Sequence, residues 1–268
     1  MSETIQGLVS IIMGIYNCAP TLPEAIDSIL EQTYNNWELI MCDDASTDNT
    51  YEIAESYRNR FPDKIILIKN KNNSKLSFTL NHCLEYASGE YVARMDADDK
   101  SLPQRFEKQV NYLQTHSEVD LVGSAMQRFN EKGLGAVDKK PEHPDKYSLR
   151  KMIPFNHATI MTYKRVYDNL GGYVVSERTI RGQDYDLWFR FYHHDYKGDN
   201  LSDVLYLVRE DEAAFKRRTF KVRLNGFKTA CIGYKLLGFP KRWLIRPGFK
   251  MVAKSLVPTK LMMIIHKK

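Results

Sequence analysis

The chain has 268 residues, of which 43% are hydrophobic and 27% are charged. These are values of a globular protein with an ample core, and they exclude a fibrous or disordered chain. The net charge of +6 hides an asymmetry, because no acidic residue follows Glu212 while ten Lys and five Arg lie from Lys216 onwards. The remainder keeps 24 of the 39 basic residues against 33 acidic ones, so an acidic body precedes a basic tail.

Neither the cysteines nor the apolar runs indicate a secreted or membrane-spanning protein. Four widely spaced cysteines, without metal-like spacing, predict reduced and mostly buried thiols in a cytosolic protein; they are Cys18, Cys42, Cys83 and Cys231. No basic stretch precedes the first apolar run, as it would in a signal peptide. No apolar run approaches the ~20 residues that a membrane-spanning helix needs.

Strand and helix patterns alternate through the first hundred residues. Predicted strands cover 8–16, 37–42, 65–68 and 90–95. Predicted helices lie between them at about 21–30, 46–60 and 76–87, and Thr21 and Glu24 form a capping box at the first. This order predicts an α/β fold with a doubly wound, mostly parallel, Rossmann-like sheet.

The second hundred residues are less regular. A helix over 103–115 and a strand over 119–124 are followed by a polar, proline-containing loop over 130–155, which we expect to cover the site. A strand over 156–163, a tight turn over 170–173 and a helix from 182 to about 192 complete the predicted fold.

Polar clusters follow three predicted strands, at the edge where such sheets bind ligands. They are Tyr16-Asn17, Asp43-Asp44 and Asp96 to Asp99. The third places three carboxylates within four residues, and hard oxygen ligands at that density suit Mg²⁺ or Mn²⁺. A single acidic cluster is also typical of a solvated turn. Three clusters converging on one edge favour a binding site.

These motifs, in this order, resemble those of family-2 glycosyltransferases with the GT-A fold. The resemblance covers about residues 8–212 and depends on four segments: 10–17, 43–48, 96–99 and 183–188. Segments 101–105, 154–157 and 171–173 are most similar to bacterial enzymes that build capsular polysaccharide or exopolysaccharide. The resemblance implies a catalytic domain over 1–212, with a nucleotide-sugar half at about 1–100 and an acceptor half at about 101–212.

The implied reaction is an inverting transfer of a sugar from a UDP-sugar to an acceptor hydroxyl. In that scheme Tyr16 and Asp44 lie against the uracil and ribose, with Asp43 close by. Asp96 approaches the ribose or the metal, and Asp98 is the main ligand of Mg²⁺ or Mn²⁺. The metal would stabilise the charge on the departing UDP.

Four further residues receive roles with open alternatives. Arg94 either helps to hold the donor or forms a buried ion pair with a neighbouring carboxylate. Asp184 is the implied general base, although an aspartate there could also cap its helix. His157 and Trp188 are candidate acceptor contacts, with structural packing as the alternative for both.

Two positions depart from the family pattern. Gln183 stands where the family usually has Glu, which removes a charge beside the implied base. Arg209 stands near the position of a metal-binding His, so Glu210, Asp211 or solvent would complete the metal shell.

Residues 213–268 form a predicted basic helical extension. Leu224, Phe227, Cys231 and Tyr234 share one helical face, and lysines recur on another. The pattern favours a peripheral anchor on an anionic membrane. The family resemblance implies that the acceptor is a lipid-linked saccharide at the inner face of the cell membrane, which agrees with such an anchor. Packing on the acidic body is the alternative. No nucleic-acid-binding module is visible.

A second function is compatible with the two departures. It is a non-catalytic nucleotide- or sugar-binding protein on a decayed glycosyltransferase fold, which would bind UDP without turning over any UDP-sugar.

Overall fold

A computed structural model describes residues 4–210 and 219–256. In these two ranges one sheet of nine strands forms the centre of the molecule, in the order β3-β2-β1-β4-β8-β6-β9-β5, with β7 paired to β6. The strands are β1 (Ile5–Ile15), β2 (Trp37–Asp43), β3 (Ile65–Lys69), β4 (Gly89–Arg94), β5 (Lys100–Ser101), β6 (Leu121–Asn130), β7 (Gly133–Asp138), β8 (Met161–Tyr163) and β9 (Gly198–Arg209).

The first four strands are all parallel, as the sequence predicts. They are joined by α1 (Leu22–Leu30), α2 (Thr50–Arg60) and α3 (Leu76–Tyr86). β1 lies between β2 and β4 and is buried on both faces, which explains its nearly continuous apolar sequence. The carboxyl ends of β1, β2 and β4 therefore meet at one edge.

The second part of the sheet is mixed. β8 runs antiparallel to β4 and β6, and β6 runs parallel to β9. Three helices belong to this part: α4 (Arg105–Thr115), α5 (Lys164–Leu170) and α6 (Gln183–His193).

Two predictions for this part need correction, and one helix was not predicted. The strand predicted over 156–163 is shorter, because residues 157–159 form a 3₁₀ turn before β8 begins. The predicted loop over 130–155 contains β7, which pairs with an extended β6. The sequence also gave no indication of α5, which follows β8 directly.

The capping box predicted for α1 is absent. The Thr21 hydroxyl makes no capping bond and instead donates to the carbonyl of Ala97 over 3.0 Å. The Glu24 carboxylate pairs with Lys100 and Arg209. Both capping side chains therefore connect α1 to the segment after β4, so tertiary contacts have displaced the local motif.

Apolar side chains fill both faces of the sheet. One cluster contains Val9, Ile11 and Leu39 together with residues of α1 and α4. The other contains Ile12, Ile40 and the aromatic residues of α6. The alternation of β1 residues between these clusters is the period-two pattern of a strand with two covered faces.

Two helices follow the sheet, α7 (Phe220–Leu236) and α8 (Ile245–Leu256). α7 packs closely on α6, because a Cβ atom at Gly233 would lie 2.1 Å from the ring of Phe189. Tyr234 of α7 is buried beside it, with its ring 5.8 Å from that of Phe189. The packing alternative is therefore realised for α7, while residues 213–218 and 257–268 lie outside the described ranges.

All four cysteines are free thiols, as predicted, and Cys42 and Cys83 are buried. Within residues 4–210 and 219–256, no helix has both the length and the apolar character needed to cross a bilayer.

Candidate active site

A cavity of about 630 Å³ opens at the carboxyl edge of the sheet. It is lined by residues from β4, from the segments before β8 and from the start of α6. Its charged and polar lining is drawn from both halves of the chain and includes Lys75, Arg94, Asp96, Asp99, Lys140, Asn156, His157, Gln183 and Asp184. Residues about 90 positions apart in the sequence thus share one cavity.

Tyr16, Asp43 and Asp44 follow β1 and β2 at the same edge. Tyr16 is 46% exposed, so its ring is open to stacking by a ligand. Asp43 is buried, accepts a hydrogen bond from the Ser46 amide over 3.3 Å and pairs with Lys69 over 3.7 Å. These positions agree with a nucleoside-binding edge, and the roles of the three residues stay predictions.

The Asp44 carboxylate already accepts three hydrogen bonds from the protein. Asn70 Nδ2 and the amides of Ser74 and Lys75 donate to it over 2.7 to 2.9 Å. Asp44 therefore fixes the segment that leads into α3. A contact with uracil would have to share these oxygens.

Arg94 and Asp96 form a bidentate ion pair at the end of β4. Arg94 Nη1 donates to Asp96 Oδ2 over 2.9 Å, and Nη2 donates to Oδ1 over 2.5 Å. Arg94 is only 4% exposed, and its Nε has no partner among the described residues. The structure thus realises the ion-pair alternative for Arg94 and also places the pair on the cavity wall.

Asp98 and Asp99 complete the acidic cluster. Asp98 is exposed and is not among the residues that line the cavity, and partial desolvation beside its neighbours together with the charge of Asp96 raises its pKa. Burial and the charges of Asp96 and Asp98 raise the pKa of Asp99 to about 8. Both shifts report negative charge that the protein compensates incompletely. Carboxylate oxygens are ligands that Mg²⁺ and Mn²⁺ prefer, but both oxygens of Asp96 already accept hydrogen bonds from Arg94, so the assignment of Asp98 and Asp96 as metal ligands stays a prediction.

A third protein ligand for such a cation is not evident. Within the described ranges, no group of three or more His, Cys, Asp or Glu side chains is arranged to hold a metal. The Glu210 carboxylate accepts a hydrogen bond from Asn130 over 2.7 Å and forms an ion pair with Arg128. Both of these contacts are made outside the acidic cluster. Asp211 lies outside the described residues.

Arg209 lies directly against the acidic cluster. Its backbone amide donates to Asp99 Oδ1 over 2.7 Å, and its Nε donates to the carbonyl of Asp98 over 2.9 Å. Its guanidinium also pairs with Glu24. A permanent positive charge therefore stands where the family resemblance leads one to expect a metal-binding histidine.

Asp184 lies in the first turn of α6, on the cavity wall. The N-cap of α6 is Gly182, whose φ of 89° suits glycine, so Asp184 is not the N-cap residue itself. Burial raises the pKa of Asp184, while the Tyr185 backbone amide in the same turn and the charge of Arg94 oppose that shift. The carboxylate is thus a better proton acceptor than an ordinary aspartate, which suits a general base. The contact with the first-turn amide agrees with a helix-stabilising role beside the proposed base role, and both roles stay predictions.

His157 and Trp188 lie side by side, but only His157 lines the cavity. His157 Nε2 is 2.9 Å from the Tyr173 hydroxyl, and burial together with the charge of Arg94 lowers its pKa well below the usual range. Trp188 is fully buried and packs on Phe155 with ring centroids 5.0 Å apart. The prediction that Trp188 contacts the acceptor is corrected, because it has no exposed surface; it supports His157 from behind.

Sequence reasoning missed the structural importance of Arg105. This side chain is completely buried and has no carboxylate hydrogen-bonded to it among the described residues, and burial lowers its pKa to about 10. Its Nη2 donates to the carbonyls of Arg94, Ala158 and Ile160 over 2.9 to 3.3 Å. Arg105 therefore ties the end of β4 to the segment that carries His157. The sequence offered one indication of this role, because Arg105 belongs to the 101–105 segment that resembles the bacterial enzymes.

Fold and site together define a glycosyltransferase of the GT-A class. The model of "Glycosyl transferase family 2" matches residues 10–179, and the chain belongs to this family. It is 44% identical to the glycosyltransferase EpsE of Bacillus subtilis over 97% of this chain and 93% of that protein.

Two further relatives come from Escherichia coli. The O-antigen biosynthesis glycosyltransferase WbnJ is 32% identical over 90% of this chain and 92% of its own. The UDP-Glc:alpha-D-GlcNAc-diphosphoundecaprenol beta-1,3-glucosyltransferase WfaP is 31% identical over 75% of this chain and 77% of its own. These relatives establish a glycosyltransferase of the bacterial polysaccharide type.

Solved structures confirm the predicted GT-A fold. Staphylococcus aureus TarS 1-349 in complex with UDP-GlcNAc matches with a TM-score of 0.68 at 20% identity, over 83% of this chain and 65% of that one. The mannosyltransferase PcManGT from Pyrobaculum calidifontis, in complex with GDP-Man and Mn²⁺, matches with a TM-score of 0.63 at 20% identity, over 97% of this chain and 79% of its own.

Proposed function

We propose that this protein transfers a sugar, with inversion, from a UDP-sugar to a hydroxyl of a lipid-linked saccharide during polysaccharide synthesis. The observation that carries the proposal is the shared cavity, in which Asp184 and the Arg94–Asp96 pair face the same space. The cavity offers charged groups for a diphosphate together with a carboxylate whose pKa is raised. We assign the donor half to residues 1–100 and the acceptor half to residues 101–212.

The donor would occupy the edge formed by β1, β2 and β4. The exposed ring of Tyr16 is available to stack on uracil, and the buried carboxylates of Asp43 and Asp44 lie at the end of the neighbouring strand, at the same edge. Arg94 orients Asp96 through its two hydrogen bonds, which keeps that carboxylate in one position when the donor arrives. Support for a nucleotide-sugar donor comes from the ligands of TarS and PcManGT.

Asp98, with Asp96, would hold a divalent cation beside the diphosphate. When bound, Mg²⁺ or Mn²⁺ supplies neutralisation of the charge that builds up on the leaving UDP. Arg209 adds a fixed positive charge at the same place through its contact with Asp98. The protein therefore contributes two things: carboxylates that would bind the cation, and the guanidinium of Arg209 beside them.

Asp184 would remove the proton from the acceptor hydroxyl. As that proton moves to the carboxylate, the acceptor oxygen forms a bond to the anomeric carbon, and the bond from this carbon to the UDP oxygen breaks on the opposite face. Gln183 is neutral and leaves this carboxylate without a charged neighbour in the sequence. His157 is held neutral, so it can hydrogen-bond an acceptor hydroxyl without adding charge.

The acceptor is proposed to be lipid-linked because of the tail and of one relative. The relative WfaP is named as a glucosyltransferase that acts on a diphosphoundecaprenol-linked sugar. α8 presents Ile245, Phe249 and Val252, which are 73%, 72% and 51% exposed, on one helical face within the basic tail. An exposed apolar face among cations suits peripheral binding to the anionic inner face of the cell membrane.

A panel of UDP-sugars, with GDP-mannose for comparison, tests the proposal. UDP release in the presence of Mn²⁺ is measured first without acceptor, as slow hydrolysis, and then with membrane lipid extract. Release from one UDP-sugar, lost in Asp184→Asn, is the expected result. UDP binding with no release from any donor would instead support the non-catalytic alternative.

A further inference from the structure

A second cleft, of about 200 Å³, lies beside the catalytic cavity. One wall is the loop over 149–153, and the other is formed by α6, α7 and α8 through Tyr185, Tyr234, Arg246 and Pro247. Ile153 lines both this cleft and the catalytic cavity. The cleft and the catalytic cavity are therefore neighbours, separated by this one side chain.

Three cations surround this cleft. Arg150, Lys151 and Arg246 all line it, and all three are exposed. None of the three forms an ion pair with a carboxylate within the described ranges, unlike Arg94 and Lys140 of the catalytic cavity. Below them the walls are apolar and aromatic, with Leu149 and Tyr234 buried. Such a cleft suits an anionic group attached to an apolar chain.

The cleft is held open by aromatic packing between the loop and the tail. The Arg150 guanidinium carbon lies 3.6 Å from the centroid of the Trp243 ring, which fixes its orientation. The ring of Tyr147 stacks on that of Phe239, with centroids 5.7 Å apart. The tail therefore completes this cleft, and the site does not exist in residues 1–212 alone.

The exposed apolar face of α8 begins at the cleft. Ile245 precedes Arg246, which lines the cleft, and Phe249 and Val252 continue the same face along the helix. On another side α8 meets α7, where a Cβ atom at Gly248 would lie 3.3 Å from the ring of Phe227. One helix thus connects a membrane-binding face to a cationic cleft and, through Ile153, to the catalytic cavity.

We propose that this cleft binds the diphosphate of a lipid-linked acceptor. Its isoprenoid chain would follow the apolar face of α8 into the membrane, and its sugar would reach the catalytic cavity past Ile153. Two phosphate groups match three unpaired cations, since each phosphate oxygen can accept a charge-assisted hydrogen bond. This inference rests on the proposed glycosyl transfer to a lipid-linked acceptor.

Binding of farnesyl diphosphate, measured by calorimetry, tests the cleft. Saturating UDP and Mn²⁺ are present throughout, so that the donor site is filled. We expect Lys151→Gln/Arg246→Gln to weaken binding about tenfold or more, since two charge-assisted contacts are lost. The matched control is Lys228→Gln/Lys235→Gln, which removes two exposed lysines of α7 that do not line the cleft. It is expected to change the affinity less than about threefold.

Each other outcome contradicts the assignment. Equal losses in the two double variants would mean attraction by the net charge of the tail. Equal affinities for farnesyl diphosphate and inorganic diphosphate would mean a plain anion site without a lipid component. Thermal unfolding of both variants is recorded, and if the cleft variant is unfolded, Lys151→Gln alone carries the comparison. UDP release by the unmodified protein separates failure of this cleft from failure of glycosyl transfer.

Discussion

Arg209 donates from Nε to the backbone carbonyl of Asp98 over 2.9 Å, while its amide holds Asp99 over 2.7 Å. The end of β9 is therefore tied to the acidic cluster after β4 by a residue that cannot bind a metal. A cation bound at Asp98 and Asp96 would lie close to this guanidinium. We infer that the affinity of the protein for a divalent cation is low until a diphosphate arrives with further oxygen ligands.

Substituting histidine at this position should strengthen metal binding in the absence of a donor. Arg209→His removes a repelling charge and adds an imidazole ligand, and we expect Mn²⁺ to bind about tenfold more tightly. Free Mn²⁺ measured by electron paramagnetic resonance reports the affinity directly. Arg209→Gln is the control, since it removes the charge without supplying an imidazole. An equal gain in both variants would assign the effect to charge alone.

Asp184→Asn should abolish proton removal while leaving donor binding intact. General base catalysis contributes about 10²–10⁴-fold, and kcat is expected to fall by that factor. The affinity for UDP, measured by calorimetry, should change less than about twofold, because the proposed role of Asp184 is on the acceptor and not on the nucleotide. Asp63→Asn, at an exposed position far from the cavity lining, controls for loss of one carboxylate. A full kcat in Asp184→Asn would exclude this base.

The pH dependence of kcat should carry the signature of a raised carboxyl pKa. Burial raises the pKa of Asp184 above its ordinary value of 3.8, and the base works only when ionised. Activity is therefore lost as the pH falls through this raised pKa, so the acid limb lies at higher pH than for a solvated aspartate. The measurement is kcat at saturating donor and acceptor over the acidic range. An acid limb at or below 3.8 contradicts the assignment.

Two glycines of α7 provide a matched test of how the tail docks. Gly233→Ala places a Cβ atom 2.1 Å from the Phe189 ring, and we expect a loss of about 1–3 kcal/mol in the free energy of unfolding. Gly226→Ala meets nothing within 4 Å, and its better helix propensity should stabilise by about 0.5–1 kcal/mol. Urea denaturation measures both. Similar effects at the two positions would mean that α7 is not packed on α6.

The apolar face of α8 should be required for binding to anionic vesicles. Ile245→Ser/Phe249→Ser removes two side chains that are 73% and 72% exposed, and co-sedimentation with vesicles containing phosphatidylglycerol should fall about tenfold. Leu134→Ser/Val137→Ser changes two exposed residues of β7 and serves as the control. Point variants are preferable to deletion after residue 212, because deletion would uncover Phe189. Unchanged sedimentation of the α8 variant refutes the anchor.

Much of the donor edge could be predicted from sequence because its signals are local. The apolar run of β1, the helix after it and the acidic cluster after β4 each extend over a few neighbouring residues. Strand ends in a parallel sheet meet at one edge by topology, so the convergence of Tyr16, Asp43 and Asp96 followed from the element order. The acceptor half was less predictable, because β7, α5 and β9 acquire their structure through pairing and packing.

The sequence by itself determined the family, the parallel half of the sheet and the carboxylates at its edge, because strand period and motif spacing are properties of neighbouring residues. Only the tertiary structure decided which partners those charges take. Arg94 holds Asp96, Arg209 reaches Asp98, and Glu24 leaves its capping position for contacts far along the chain. Such pairings depend on distances across the fold, because packing brings together charged residues that are far apart in the sequence.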